Sequence, residues 1–393
     1  MKLQLCTLAI VFAFTLVPFG SESLAAELDE PSMLGPWMLA SAKQDGEVKA
    51  LDNDKLLYAL DYIKKNAGSD GISQTLIIKD DEVVYAGEEV HKVHNVYSVT
   101  KSFVSTALGL LIEDGKTTLD TKICSIDKQY CDHYSHVTLK HLTTMTSGYN
   151  AAGENRWNED SEDWSKTPFL QASPLFVPGS AYAYWDEAMI ILGAVLTKIA
   201  GESLYDYLDS RLMKPMGVNE WAWWHESDAI SGFDMNYAPG GIELSAVSLA
   251  KYGMLMLNEG HYPYQNTMID DKSDDGKQLL SKDWIEQATR NQVSLQIPVA
   301  ETDRKSIDGV GYYGFNWWVN GQNRDGQWQM PDAPKGMFYA RGFNNNMLFV
   351  IPQWNMVVVR MGEDDEKRID KVAFYNAFFK RLSSAMNLRQ QQK

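Results

Sequence analysis

Positive charge is in short supply. Lys and Arg number 36 against 52 Asp and Glu, a net charge of −16, which excludes nucleic acid as a natural partner. Long apolar runs are missing beyond the N-terminus, and no later stretch approaches the roughly 20 residues a membrane-spanning helix needs. No repeat of fixed period occurs, and no linker rich in Pro, Gly or Ser divides the chain into independent domains. Several routes to chemistry are closed as well. There is no Gly-x-Ser-x-Gly elbow and no His-Glu-x-x-His, and His91-x-x-His94 and His133-x-x-His136 lack a third ligand at helical spacing, so no metal is expected. Gly309-Val310-Gly311-Tyr312-Tyr313-Gly314 has dinucleotide-binding spacing but precedes a strand-like segment instead of joining a strand to a helix, so no cofactor follows from it.

Cysteine is scarce too, with only Cys6, Cys124 and Cys131. Met1-Lys2 leads into an apolar run from Leu3 to Phe19 and then Ser23-Leu24-Ala25, which is how a secretory signal peptide is built. Pro18 and the shortness of the run argue against a membrane span. The expectation is cleavage near Ala25, export to the periplasm or medium, and no stable span afterwards. Cys6 would leave with the signal. Cys124 and Cys131 then make a disulfide candidate in an oxidising compartment, two free thiols being the alternative.

What is present describes a large folded unit over residues 26–393, with 45% hydrophobic and 11% aromatic residues, a globular composition. Gln74 to Glu89 alternates on both sides of Lys79-Asp80-Asp81 and reads as a hairpin. Tyr313 to Val319, Gly336 to Ala340, Asn346 to Ile351 and Met356 to Met361 are strand-like, and Asp370 to Met386 has helical spacing. Between these ends lie helical patterns at Ser102 to Glu113, Glu187 to Ile199, Leu204 to Leu212 and Ala246 to Asn258, with acidic loops at Glu154 to Asp163 and Asp270 to Asp275. The expected class is α+β: an antiparallel sheet drawn from both ends of the chain and flanked by helices, with a mainly helical lobe from the middle.

A serine becomes a nucleophile when a base takes its proton, and a lysine one helical turn away can act if burial lowers its pKa. Ser-x-x-Lys supplies that spacing three times, at Ser98-Lys101, Ser125-Lys128 and Ser248-Lys251. Ser125 sits beside Cys124 in an expected loop, and Ser248-Lys251 lies in an amphipathic helix where a solvated polar face is the plainer meaning. Ser98 opens a helix whose Phe103, Val104, Ala107, Leu108, Leu111 and Ile112 would be buried, a setting that fixes its first turn and aims backbone N–H groups at a developing oxyanion. An ordinary helix cap is the alternative reading of Ser98.

The stretch His94-Asn95-Val96-Tyr97-Ser98-Val99-Thr100-Lys101-Ser102-Phe103 resembles the nucleophile segment of class C β-lactamases and their hydrolase relatives. Val137 to Tyr149, reading VTLKHLTTMTSGY, is similar to that family's Thr-Ile-x-x-Leu-Leu-x-x-Thr-Ser-Gly turn. Pro178-Gly179-Ser180 leading to Tyr184, Gly240-Gly241-Ile242 before a helix, Tyr313-Gly314-Phe315, and Arg341-Gly342 through Pro352 occur in family order, so the resemblance spans roughly residues 50 to 380. Tyr205-Asp206-Tyr207-Leu208, Lys214-Pro215-Met216-Gly217 and Trp221-Ala222-Trp223-Trp224 most resemble the 6-aminohexanoate-dimer hydrolase branch.

The resemblance implies a β-lactamase/transpeptidase-like serine hydrolase that needs no cofactor and acts on a small-molecule ester or amide. Ser98 would be the nucleophile, and Lys101 and Tyr184 its proton-handling partners, the phenol serving if Lys101 favours its phenolate. The pattern is broken in two places. Tyr184-Trp185-Asp186 has an aspartate where the family has asparagine, and Tyr339-Ala340-Arg341-Gly342-Phe343 lacks the lysine that would hold a β-lactam carboxylate; both disfavour a penicillinase. Asp186 is then a candidate partner of Lys101 or of a substrate ammonium, a plain surface carboxylate being the alternative; Arg341 is a candidate partner of a carboxylate, facing solvent being the alternative; and Gly342 and Trp185 are candidates to meet the substrate's body. The N–H of Phe343 is the candidate to join that of Ser98 in an oxyanion hole. A non-catalytic or slowly acylating envelope protein, a β-lactamase and a D-amino-acid peptidase are the rival readings.

Overall fold

The computed structural model describes residues 51–152, 167–226, 232–262, 276–302, 306–363 and 370–386. The expected signal segment, both acidic loops, and Trp157 and Trp164 lie outside the described residues.

In chain order the elements that position the site begin with helix α1 (Asn53–Asn66), strands β1 (Thr75–Lys79), β2 (Glu82–Ala86) and β3 (His94–Asn95), then helices α2 (Thr100–Glu113) and α3 (Asp186–Ala200). Strands β4 (Ala222–Trp223) and β5 (Ile242–Leu244) precede helix α4 (Ala246–Leu257). Strands β6 (Trp318–Val319), β7 (Phe338–Arg341), β8 (Met347–Ile351) and β9 (Met356–Arg360) come next, and helix α5 (Lys371–Ala385) is last.

The main sheet is antiparallel throughout, in the order β6-β7-β8-β9-β1-β2. It is therefore sewn from both ends of the chain, with Thr75 opposite Arg360 and Ile77 opposite Val358. Successive side chains of a strand leave on opposite faces, and this sheet uses both. A Cβ on Gly253 of α4 would stand 2.7 Å from Leu348 and from Val357, so α4 lies directly on one face. On the other face Phe349 meets Tyr375 and Phe379 of α5, with ring centroids 4.7 and 4.9 Å apart. Helix α1 packs on α5, and Asp52 N–H donates to Ala385 O at 2.8 Å.

Helix α2 is the central rod, buried from Thr100 to Leu111. Each large apolar side chain taken fully out of water there stabilises the fold by about 1.5–3 kcal/mol. Helix α3 begins with Asp186 and Glu187, acidic groups that suit the positive end of the helix dipole, and ends at Gly201 in a left-handed conformation. A small sheet, β3-β5-β4, carries the chain from the nucleophile turn to the glycine pair.

Some expectations need correction. Tyr313 to Val319 is not one strand: Asn316 takes φ 56°, the chain reverses, and only Trp318–Val319 joins the sheet. Leu204 to Leu212 is α-helical only to Leu208, after which Asp209–Met213 widens into a π-turn. Helix α1, with Leu56, Leu60 and Ile63 buried behind the Asp52 cap, adds to the expected elements.

Candidate active site

The nucleophile lies in the turn that leads into the central helix. Ser98 does not open α2; it lies in a 3-10 turn, Tyr97–Val99, that feeds α2 at Thr100. Tyr97 has φ 51°, an uncommon backbone state for a bulky residue, and such strain persists only where the surroundings impose it. They do so here. Asn95 Oδ1 accepts from Tyr97 N–H at 2.7 Å and from Gly241 N–H at 3.3 Å. Val96 N–H donates to Ile242 O at 2.9 Å, and Ile242 N–H to Thr100 Oγ1 at 3.2 Å. No sequence pattern marks Asn95, because its role depends on a partner 146 positions away.

Lys101 lies one turn along and is buried, its side chain 1% exposed. Its ammonium donates to Ser98 Oγ at 2.8 Å and to Pro239 O at 2.7 Å, and pairs with Asp186 Oδ1 at 2.8 Å. Two of its hydrogen bonds are directed, to Ser98 and Pro239, and the carboxylate of Asp186 faces the same charge. The Tyr184 ring centroid is 5.0 Å from the same nitrogen. Ser98, Lys101, Tyr184 and Asp186 thus meet at one point, brought together by α2, by the chain entering α3 and by the turn at Pro239.

The electrostatics correct one expectation. Burial pushes the Lys101 ammonium down, but the Asp186 carboxylate and Tyr184 outweigh it and hold the group above lysine's ordinary range. Lys101 is therefore a cation in this arrangement, and the serine oxygen receives a hydrogen bond from it. Asp186 contributes to this state together with Tyr184.

Tyr184 is positioned by its neighbours. Its N–H donates to Ser306 Oγ at 2.7 Å, Ala183 N–H to Met145 O at 3.0 Å, and its ring lies 5.7 Å from Trp318 and 6.1 Å from Tyr313. Arg341 lies over Trp318, 5.0 Å from the ring centroid, and has no ion pair among the described residues. Gly342 comes so close to the nucleophile turn that a Cβ there would sit 2.2 Å from Val96 O. Phe343 then sets its ring edge-on to Tyr97 at 5.5 Å, so the end of β7 runs beside the residue preceding Ser98.

Other candidates fall elsewhere. Trp185 is 3% exposed and belongs to the core, which removes it from the surface a substrate would touch. Cys124 and Cys131 are joined by a disulfide remote from Ser98 in sequence. Ser125 Oγ donates to Lys122 O, so it does not address Lys128. Lys251 is not on a solvated face: it is buried, with Nζ donating to Gly217 O at 2.9 Å. Trp318, beside Tyr184, is buried, as are Trp223 and Trp317, whereas Trp224 is 47% exposed.

The same architecture occurs in other proteins. Among solved structures the chain is similar to a putative 6-aminohexanoate-dimer hydrolase from Bacillus anthracis, with TM-score 0.57 and 19% identity over 79% of each chain. It is similar to a putative β-lactamase from Bacteroides dorei, with TM-score 0.63 and 14% identity over 86% of this chain and 99% of that one. A family VIII carboxylesterase aligns with TM-score 0.59 and 14% identity over 85% of this chain and 97% of its own. At these identities the likeness is one of fold. The sequence itself matches the Beta-lactamase family over residues 67–378, most of its length, and the chain belongs to that family.

Proposed function

We propose that the protein is a serine hydrolase that cleaves an ester or amide bond of a small molecule through an acyl-enzyme on Ser98. One observation carries this reading: a buried ammonium reaches Ser98 Oγ, Asp186 Oδ1 and Pro239 O at once, with the Tyr184 ring beside it. Because Lys101 is cationic, the proton acceptor for Ser98 is the Tyr184 oxygen. Lys101 stabilises the negative charge that passes between the two oxygens. Ser98 Oγ adds to the carbonyl carbon, and the oxyanion that forms is held by the N–H groups of Ser98 and Phe343. Its collapse expels the alcohol or amine, which takes the proton from Tyr184. Water then adds to the acyl-enzyme by the same relay and releases the acid, restoring Ser98.

Asp186 is assigned to Lys101 and not to a substrate ammonium, since its carboxylate is already paired. Arg341, over the Trp318 ring and without an ion pair among the described residues, is assigned to an anionic group of the substrate. The buried Ala340 in place of a lysine supports an esterase or amidase over a β-lactamase. The Cys124–Cys131 disulfide supports an oxidising compartment and hence export.

A second reading has its own support, because a cationic Lys101 is a poor base: a slowly acylating binding protein. Hydrolysis of p-nitrophenyl esters, nitrocefin, D-Ala-D-Ala peptides and the 6-aminohexanoate dimer separates the two. Steady turnover of an ester or linear amide that falls at least about a thousandfold in Ser98→Ala supports the enzyme. A single stoichiometric burst without turnover supports the binding protein, and full activity in Ser98→Ala contradicts both.

A further inference from the structure

Three non-glycine residues with left-handed backbone gather beside Ser98: Tyr97 at φ 51°, Asn344 at φ 50° and Asn345 at φ 62°. Tyr97 immediately precedes Ser98 and Asn344 comes immediately after Phe343, so each of these two strained residues is the chain neighbour of a residue whose amide is assigned to the oxyanion. They are tied to one another. Asn344 Nδ2 donates to Tyr97 Oη at 3.3 Å and to Glu363 O at 2.7 Å.

Under this turn lies Arg360 of β9, 0% exposed. Its guanidinium makes no ion pair among the described residues. It donates instead to three backbone carbonyls: Nη1 to Asn344 O at 3.0 Å and Asn345 O at 3.3 Å, and Nε to Gly71 O at 3.4 Å. A buried cation whose hydrogen bonds go to carbonyls alone is an expensive way to fill a core, where an apolar side chain of the same volume is often as stable or more so. What the arginine adds is direction: it fixes two consecutive carbonyls, and with them the backbone that leaves Phe343.

We propose that Asn344, seated on Arg360, is a positioning residue that sets the separation of the Ser98 and Phe343 amides by linking the two strained turns through the Tyr97 hydroxyl. The inference rests on the acyl-enzyme reading. A tetrahedral oxyanion needs both donors at hydrogen-bonding distance from one point, and an error of an ångström there costs rate without costing substrate binding.

Tyr97→Phe removes only the hydroxyl and leaves the backbone state untouched; Asn344→Gly keeps the left-handed backbone accessible while deleting the link. In both, kcat for a p-nitrophenyl ester should fall about tenfold to a hundredfold with KM within about twofold, and affinity for an aryl boronic acid, which forms a tetrahedral adduct on serine, should weaken by the same factor. Arg360→Met should lower kcat similarly, with Arg360→Lys recovering part of it. If Asn344→Gly fails to fold, Tyr97→Phe alone decides. Wild-type kcat in Tyr97→Phe, or a fall in kcat with boronic acid affinity unchanged, overturns the inference. Activity that survives Ser98→Ala overturns instead the reading on which it rests.

Discussion

Burial and charge pull a lysine in opposite directions, and Asp186 and Tyr184 decide the outcome for Lys101. The carboxylate 2.8 Å away, together with Tyr184, offsets the desolvation of a side chain that is almost wholly out of water. In Asp186→Asn the carboxylate's share of that offset is gone, and the Lys101 pKa falls. The basic limb of the kcat/KM profile should then move to lower pH; a profile that stays in place would show that Lys101 does not titrate in the reaction. Linkage gives a second readout. A lysine held above its unfolded value stabilises the fold at pH below that value, about 10.4, and the contribution is lost as pH rises through the higher folded one. The Tm difference between wild type and Asp186→Asn should therefore hold at pH below the lowered Lys101 pKa of the variant and narrow as pH rises from there through the higher wild-type value. Lys101→Met removes the cation altogether, and ester hydrolysis should drop by about 10²–10⁴.

Among elements, β7 is followed by Gly342, which is in close contact with the nucleophile turn. Gly342→Ala would place a methyl 2.2 Å from Val96 O, and overpacking of this kind costs about 1–3 kcal/mol. Calorimetry should show a lower Tm, and kcat should fall further than the stability loss explains, because the strand carries Phe343 away from Ser98; unchanged activity would place Phe343 outside the oxyanion site.

Elements with a strong period are legible in the sequence. The hairpin at Gln74 to Glu89 shows its turn through Asp80-Asp81, which take φ 52° and 64°, and α3 shows its start through two acids and its end through Gly201. Ser98, Lys101 and Tyr184 are legible as points in separate motifs. Their joint setting is not. The acceptors Pro239 O and Asn95 Oδ1, and the choice of Lys101 as the partner of Asp186, depend on segments far apart in the chain and leave no periodic trace. The interruption at Asn316 and the π-turn after Leu208 are hidden because a reversed backbone and a widened turn keep the apolar spacing of the elements they break.

At the scale of the molecule, the two ends of the chain close one sheet and one helix pair, so the site depends on segments far from it. Removing α5 would expose the faces covered by Phe374, Tyr375, Phe378, Phe379 and Leu382. At about 1.5–3 kcal/mol for each large apolar side chain, the loss exceeds much of the 5–15 kcal/mol that roughly separates a native domain from its unfolded chain. A chain ending before Lys371 should show no cooperative thermal transition by circular dichroism, whereas retained cooperative unfolding would mean that the sheet holds without its outer layer.

The arrangement around Ser98 is tested most directly by mapping where a fluorophosphonate attaches. Intact-mass analysis and peptide mapping should find one adduct, on Ser98, formed much more slowly in Lys101→Met and Tyr184→Phe than in the wild type. An adduct on another serine, or ester hydrolysis that continues after Ser98 is blocked, would contradict the assignment.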